Sequence, residues 1–136
     1  MALAPIFKKL EIPTAFLVRV VFGALFSFHG IQKIFGVLTD HQPPVGSQLW
    51  IGGLIELVCG IGIAVGAGTR ACAFLASGTM AVAYTQFHWK LRGGSLILPA
   101  VNNGELAVLY CFVFLWIFAH GAGPWSVDAL VRRSRG

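Results

Sequence analysis

The chain has 136 residues, of which 57% are hydrophobic and only 11% are charged. Soluble domains carry about 25% charged residues, so this composition excludes a domain whose whole surface faces water. The length allows one domain, and we expect residues 1–136 to form a single integral membrane domain. The net charge of +5 does not predict nucleic-acid binding, because much of it lies at the chain ends, where basic residues set membrane orientation.

The first predicted span covers residues 14–35. Pro13 suits the first turn of a helix that starts here. The apolar stretch is too long for a cleaved signal peptide and no small-residue cleavage site follows it, so we expect it to be retained. Arg19 lies about one turn inside the span, where it either extends its head to the membrane surface or contacts an anion within the bundle. His29 and Lys33, four residues apart, lie near the far end.

The second predicted span, residues 49–68, contains a single charged residue, Glu56. A charged residue at that depth costs about 2.5–3.5 kcal/mol on insertion scales, so it is a functional-site hypothesis by default. Gly52 and Gly60 stand four residues either side of Glu56 and share its helical face. Small residues let a neighbouring helix approach closely, so we expect Glu56 to point into a helix bundle and not at lipid.

A very short turn that ends at Arg70 joins the second span to a third predicted span over residues 71–89. The two spans are therefore expected to form a tight antiparallel hairpin. Tyr84 and His88 lie on one face of the third span near its far end, a position typical of side chains that face a bundle.

The fourth predicted span covers residues 103–120. Asn103 opens it and Glu105 lies in its first turn. An acidic residue in the first turn suits the helix dipole, so Glu105 also has an ordinary explanation as an N-terminal charge.

Four spans predict an all-α integral membrane four-helix bundle with up-down topology, in which both chain termini lie on one side. That side carries more basic residues than the other, namely Lys8, Lys9, Arg70, Arg132, Arg133 and Arg135 against Lys33, Lys90 and Arg92. The excess predicts cytoplasmic termini and a multi-pass protein of a bacterial inner membrane.

Depth counted at about 1.5 Å per residue places one ionisable side chain from each span in the outer third of the bundle. These side chains are His29, Glu56, His88 and Glu105. Two imidazoles and two carboxylates are a plausible transition-metal set in a helix bundle. The same residues suit a proton relay, or a site for the polar head of a quinone. In the simplest alternative, Glu56 pairs with His29 or Lys33 only to hold helices together.

Soluble-cofactor motifs are absent from the sequence: it contains no HExxH, no GxGxxG after a strand, no P-loop and no CxxCH. An oxidoreductase built on this chain therefore needs a bound metal, a non-covalent haem, a quinone, or a partner subunit that carries the redox centre.

Several strings resemble the DoxX family and occur in its order: HGIQKIFG, WIGGLIELVCGIGIAVGAGTRACAF, MAVAYTQFH, NNGELAVLYCFVFL and GPWSVD. The resemblance covers roughly residues 16–128. It implies a small four-span bacterial membrane protein, similar to relatives described as subunits linked to terminal quinol oxidase and thiosulfate:quinone oxidoreductase. Carried over residue by residue, it marks Arg19, His29, Gly30, Lys33, Glu56, Arg70, His88, Asn103, Gly104 and Glu105.

These observations predict a quinone-linked membrane oxidoreductase or its small subunit. Four residues are predicted to bind a quinone head or a metal and to handle protons: His29, Glu56, His88 and Glu105. Four more are predicted to assist in cofactor binding: Lys33, Arg19, Tyr84 and Asn103. The open alternatives are a non-enzymatic protein that binds or transports an ion or small molecule, and a scaffold subunit of a membrane redox complex. The expected partners are the lipid bilayer and membrane or redox proteins, including a second copy of the chain.

Overall fold

A computed structural model of the chain describes residues 4–136, with side chains from residue 8 onward. Its helices are α1 (Ala4–Phe35), α2 (Gln48–Val65), α3 (Thr69–Ala83), α4 (Pro99–Asn102), α5 (Glu105–His120) and α6 (Val127–Ser134). A π-helical segment, Tyr84–Trp89, extends α3, and a 3₁₀ turn, Gly94–Ile97, precedes α4. Residues 4–136 contain no β-strand, which confirms the predicted all-α class.

Among the described residues, two helical segments are long and apolar enough to cross a membrane, Lys8–Phe35 and Gln48–Val65. The helix Glu105–His120 is also apolar but has 16 residues. Large apolar side chains are exposed along all the longer helices, as on a surface in contact with lipid.

The first helix begins earlier than the sequence predicts, at Ala4, and Pro13 lies inside it. A proline in a helix interior donates no hydrogen bond to the carbonyl four residues before it. That carbonyl belongs to Lys9, which lies in an exposed turn. Other donors can reach it there, and the helix continues through Pro13.

Helices α1 and α2 pack antiparallel through glycines. A Cβ on Gly30 would lie 2.4 Å from the amide nitrogen of Leu57, and one on Gly23 would lie 2.6 Å from that of Ala64. From α2, Gly60 lies equally close to α1, whereas a Cβ on Gly52 would meet nothing within 4 Å. The second close-packed glycine of α2 is therefore Gly53, not the predicted Gly52.

One residue from each of the four longer helices meets the others in the centre of the fold. Phe26, Ile63, Ala76 and Phe114 are each 1% exposed or less. On α3, the Ser77 hydroxyl donates a hydrogen bond of 2.9 Å to the carbonyl of Cys111 on α5. The pairs α1–α2 and α3–α5 make the most extensive contacts.

The C-terminal helix α6 is tied to the turn between α2 and α3 by Asp128. Its carboxylate accepts hydrogen bonds from the amides of Gly68 and Thr69, at 2.8 and 2.9 Å. Partial burial raises the pKa of Asp128, but these two amides and the charge of Arg132 outweigh it, and the pKa lies below its ordinary value. The carboxylate caps the first turn of α3 in its ionised form.

Replacing Asp128 by Asn is expected to lower the free energy of unfolding by about 1 kcal/mol at neutral pH, because Asn lacks the negative charge and the second acceptor oxygen that face the start of α3. Because the folded-state pKa is depressed, this stabilisation is present above the ordinary aspartate pKa, near 4, and is lost as the pH falls through the folded value. Unfolding of both proteins in mixed micelles at pH 7 and pH 3 measures the difference. Asp40→Asn, in an exposed loop, is the matched control. An equal deficit at both pH values would contradict the capping role.

Candidate functional site

Glu56 is held inside the fold by the same helical face that carries the packing glycines of α2. It is 2% exposed. Its Oε1 accepts a hydrogen bond of 2.5 Å from the ammonium of Lys33, near the end of α1. The second carboxylate oxygen, Oε2, is buried without a hydrogen-bond partner among the described residues. An unpaired acceptor in the interior costs about 1–3 kcal/mol, so this atom is the first place to expect a ligand.

Lys33 reaches Glu56 across the surface of α2. Its Cβ lies so close to Gly53 that a Cβ there would be 2.6 Å away, which fixes the start of the side chain. The Lys33 side chain keeps 31% of its surface exposed, against 3% for Glu56. The ion pair therefore joins a buried anion to a cation with access to the outside.

A cavity of about 220 Å³ opens beside this pair, and α1, α2, α3 with its π-helical extension, and α5 all contribute to its wall. Its polar lining residues are His29, Lys33, Glu56, His88 and Asn103. Its apolar lining residues are Phe26, Met80, Ala83, Leu106, Ala107 and Tyr110. Five of the residues predicted from the sequence thus meet at one cavity.

The two imidazoles are oriented by different contacts. His88 lies in the π-helical segment, and its Nδ1 is 3.3 Å from the carbonyl of Asn102. A carbonyl only accepts, so Nδ1 carries the proton and a neutral ring keeps Nε2 as an acceptor. The ring of His29 packs edge-on to Tyr110, with 6.1 Å between the centroids.

Glu105 and Tyr84 lie outside the lining of the cavity. Glu105 is the exposed first residue of α5. This position agrees with its simpler interpretation as an acidic residue that interacts with the helix dipole. The Tyr84 hydroxyl donates to the carbonyl of Ile97 and accepts from the Asn102 amide. It thereby fastens the segment that follows the π-helix and supports the carbonyl to which His88 donates.

Arg19 occupies the other end of the fold, about 15 Å along α1 from His29 at 1.5 Å per residue. It is buried and donates to the carbonyls of Ile63 and Ala64 at 2.7 Å and to that of Trp125 at 2.6 Å. A cation at the last carbonyls of α2 caps that helix. The sequence alternatives of a surface head and an anion contact are replaced by this capping role.

The predicted metal set of His29, Glu56, His88 and Glu105 is not assembled. Within residues 4–136, no three His, Cys, Asp or Glu side chains lie in a group that could hold a metal ion. Glu105 lies outside the cavity, and the Lys33 ammonium already bonds to one of the two carboxylate oxygens of Glu56.

Tyr110 is a lining residue that our sequence reasoning missed. It is 3% exposed and contacts Phe26, Phe114 and His29 through its ring. The signal was present, because Ala107, Tyr110 and Phe114 follow one another at helical steps of three and four along one face of α5.

The fold and the site together define a helical membrane protein that carries an internal ion pair beside a polar cavity. A family model described as DoxX matches residues 14–89. The chain belongs to the DoxX family. An uncharacterized protein from Haemophilus influenzae is 38% identical over 114 residues, which cover 81% of this chain and 84% of the relative. No solved structure matches the chain.

Proposed function

We propose that this DoxX protein binds the polar head of a quinone at the Lys33–Glu56 pair and acts as a quinone-linked oxidoreductase or as its small subunit. The observation that carries the proposal is the buried Glu56, whose Oε2 has no hydrogen-bond partner among the described residues and which lines a cavity together with Lys33 and two histidines. Such a site has donors and acceptors for both redox states of a 1,4-dione.

Four helices of an up-down bundle cross the bilayer in this proposal. The π-helical segment lengthens α3, so that residues 69–89 form one helical run of about 30 Å at 1.5 Å per residue, the thickness of a hydrocarbon core. The shorter α5 is supported as a span by its outward apolar surface. Its exposed members are Leu106, Leu109, Phe112, Leu115 and Trp116.

The amphipathic α6 supports cytoplasmic termini in a bacterial inner membrane. Its exposed apolar residues Leu130 and Val131 suit the membrane surface, and Arg132 and Arg133 follow them directly. Basic residues concentrate on the cytoplasmic side of such proteins. The Glu56 cavity then lies toward the opposite, outer face.

The binding chemistry follows from the donor and acceptor set. The Lys33 ammonium has three donors, of which Glu56 uses one, so it can also donate to a quinone carbonyl. Oε2 of Glu56 accepts from a quinol hydroxyl. His29 and His88 line the same cavity, and imidazole rings can both give and take a proton, so they are the groups suited to exchange protons with the ligand.

The redox step needs a second component. Reduction of a quinone to the quinol consumes two electrons and two protons. The protons pass through the imidazoles and Glu56, and the electrons come from a redox-active partner protein in the membrane.

Equilibrium dialysis of a radiolabelled, tail-less 1,4-benzoquinone against the protein in lipid vesicles tests the proposal. We expect saturable binding at one site per chain, displaced by excess unlabelled quinone and weakened at least about tenfold by His88→Phe, since one hydrogen bond to a charged or polar partner is worth about 1.5 kcal/mol. Protein-free vesicles give the partitioning background, and His41→Phe, in the first loop, is the matched control. Binding no greater than that background would overturn the proposal.

A further inference from the structure

A second cavity, a groove of about 430 Å³ between α2 and α3, adjoins the polar cavity. The two share Lys33, Glu56, Met80 and Ala83 in their walls. The ion pair therefore stands at the junction of both spaces, with the imidazoles on one side and the groove on the other.

The lining of the groove is almost wholly apolar. Its hydrophobic side chains include Ile51, Ile55, Phe74, Leu75, Val82 and Phe87. Ile51, Phe74 and Val82 are also among the exposed residues of the fold, on helix faces that meet lipid in a membrane. The groove thus runs from the hydrocarbon region to the buried carboxylate.

Two glycines keep the groove open, Gly52 on α2 and Gly78 on α3. Both line it, and a Cβ added at either one would meet nothing within 4 Å. They differ in this from Gly53 and Gly60, where the neighbouring helix fills the space. Close helix packing does not explain these two glycines.

We propose that the groove holds the hydrocarbon tail of the ligand whose head lies at Lys33–Glu56, so that the substrate is a long-chain isoprenoid quinone that arrives sideways from the bilayer. The proposal rests on the proposed function, since it names the class of quinone for that same site. We infer this occupant because the two spaces are continuous. The cavity that holds the head and the apolar groove meet at the Lys33–Glu56 pair, so one ligand can occupy both.

The groove is expected to select among ligands more than to increase affinity. A tail leaves lipid that is as apolar as the groove, so its transfer gains little hydrophobic free energy. A side chain that fills the groove acts instead by steric exclusion. The tail is covalently attached to the head, so it has no space to occupy while the head is bound at Glu56.

The test compares Gly78→Leu with wild type in vesicles, using a tail-less benzoquinone and the same ring with a long isoprenoid tail. We expect Gly78→Leu to weaken binding of the tailed quinone at least about tenfold and to leave binding of the tail-less one unchanged. Ala81→Leu is the control, since Ala81 is exposed on the same helix but does not line the groove. Gly52→Leu, on the opposite wall, repeats the test if Gly78→Leu does not fold.

The outcomes separate the two proposals. If both quinones bind to Gly78→Leu as they do to wild type, the groove holds a bilayer lipid chain or nothing, and the tail inference is overturned while the quinone site stands. Equal loss of both quinones also overturns it, because the effect is then on the head site. If wild type binds neither quinone, the proposed function fails and the tail inference with it.

Discussion

Glu56→Gln is expected to weaken binding of a tail-less benzoquinone by about 10- to 100-fold, the value of one charge-assisted hydrogen bond. Glutamine keeps the size of the side chain but removes the charge that faces the ligand. The folded state should suffer little, because Lys33 is partly exposed and its ammonium can turn to the membrane surface when its partner is lost. Equilibrium dialysis and unfolding in mixed micelles measure the two effects separately.

Lys33→Met, in contrast to Glu56→Gln, is expected to destabilise the folded state strongly. It leaves the Glu56 carboxylate buried without its cation, which typically costs about 3–5 kcal/mol. The double variant Lys33→Met/Glu56→Gln should regain most of that stability and still fail to bind. Glu105→Gln, at the exposed carboxylate outside the cavity, should leave binding and stability unchanged.

This comparison distinguishes a ligand site from an ion pair that only holds α1 and α2 together. If the pair were only structural, Glu56→Gln would bind quinone as wild type does. Wild-type binding by the double variant would lead to the same conclusion.

Gly60→Ala is expected to destabilise the fold by about 1–3 kcal/mol or more, the usual cost of overpacking a tight contact. The new Cβ would lie 2.5 Å from the amide nitrogen of Ser27, a backbone atom that cannot rotate away. The α1–α2 pair would have to separate, and the Lys33–Glu56 contact would lengthen with it.

Gly52→Ala, on the same helix, is the matched control. Its Cβ meets nothing within 4 Å, and alanine in a helix interior is more favourable than glycine by about 0.5–1 kcal/mol. We therefore expect the two substitutions to change the unfolding free energy in opposite directions. Similar stabilisation by both substitutions would show that helix propensity, and not the α1–α2 contact, governs these positions.

The sequence predicted those parts of the molecule that depend on local patterns. Long apolar runs gave the helices, and the cost of a charge inside one of them singled out Glu56. Counting depth along ideal helices predicted that His29 and His88 lie near it, and all three residues line one cavity although His88 belongs to a π-helical segment.

The features that the sequence did not predict depend on how each helix is rotated about its own axis and on contacts with residues that are distant along the chain. Steps of three and four residues are both compatible with one helical face, so Gly52 and Gly53 could not be separated without the position of α1. Arg19 binds backbone carbonyls of α2 and of Trp125, and carbonyls leave no mark in a sequence. Glu105 is the first residue of α5 and lies outside the cavity lining, because depth along a helix does not determine which side of the helix a residue occupies.

The uneven packing of the four longer helices has a mechanical consequence. α1 packs mainly on α2 and α3 mainly on α5, so the molecule consists of two helix pairs, here called its halves. Both cavities lie on the seam between the halves. A ligand that binds at the seam contacts both halves and favours the arrangement in which they are close together. Any change that separates the halves therefore lowers the affinity for that ligand, and ligand binding opposes the separation by the same free energy.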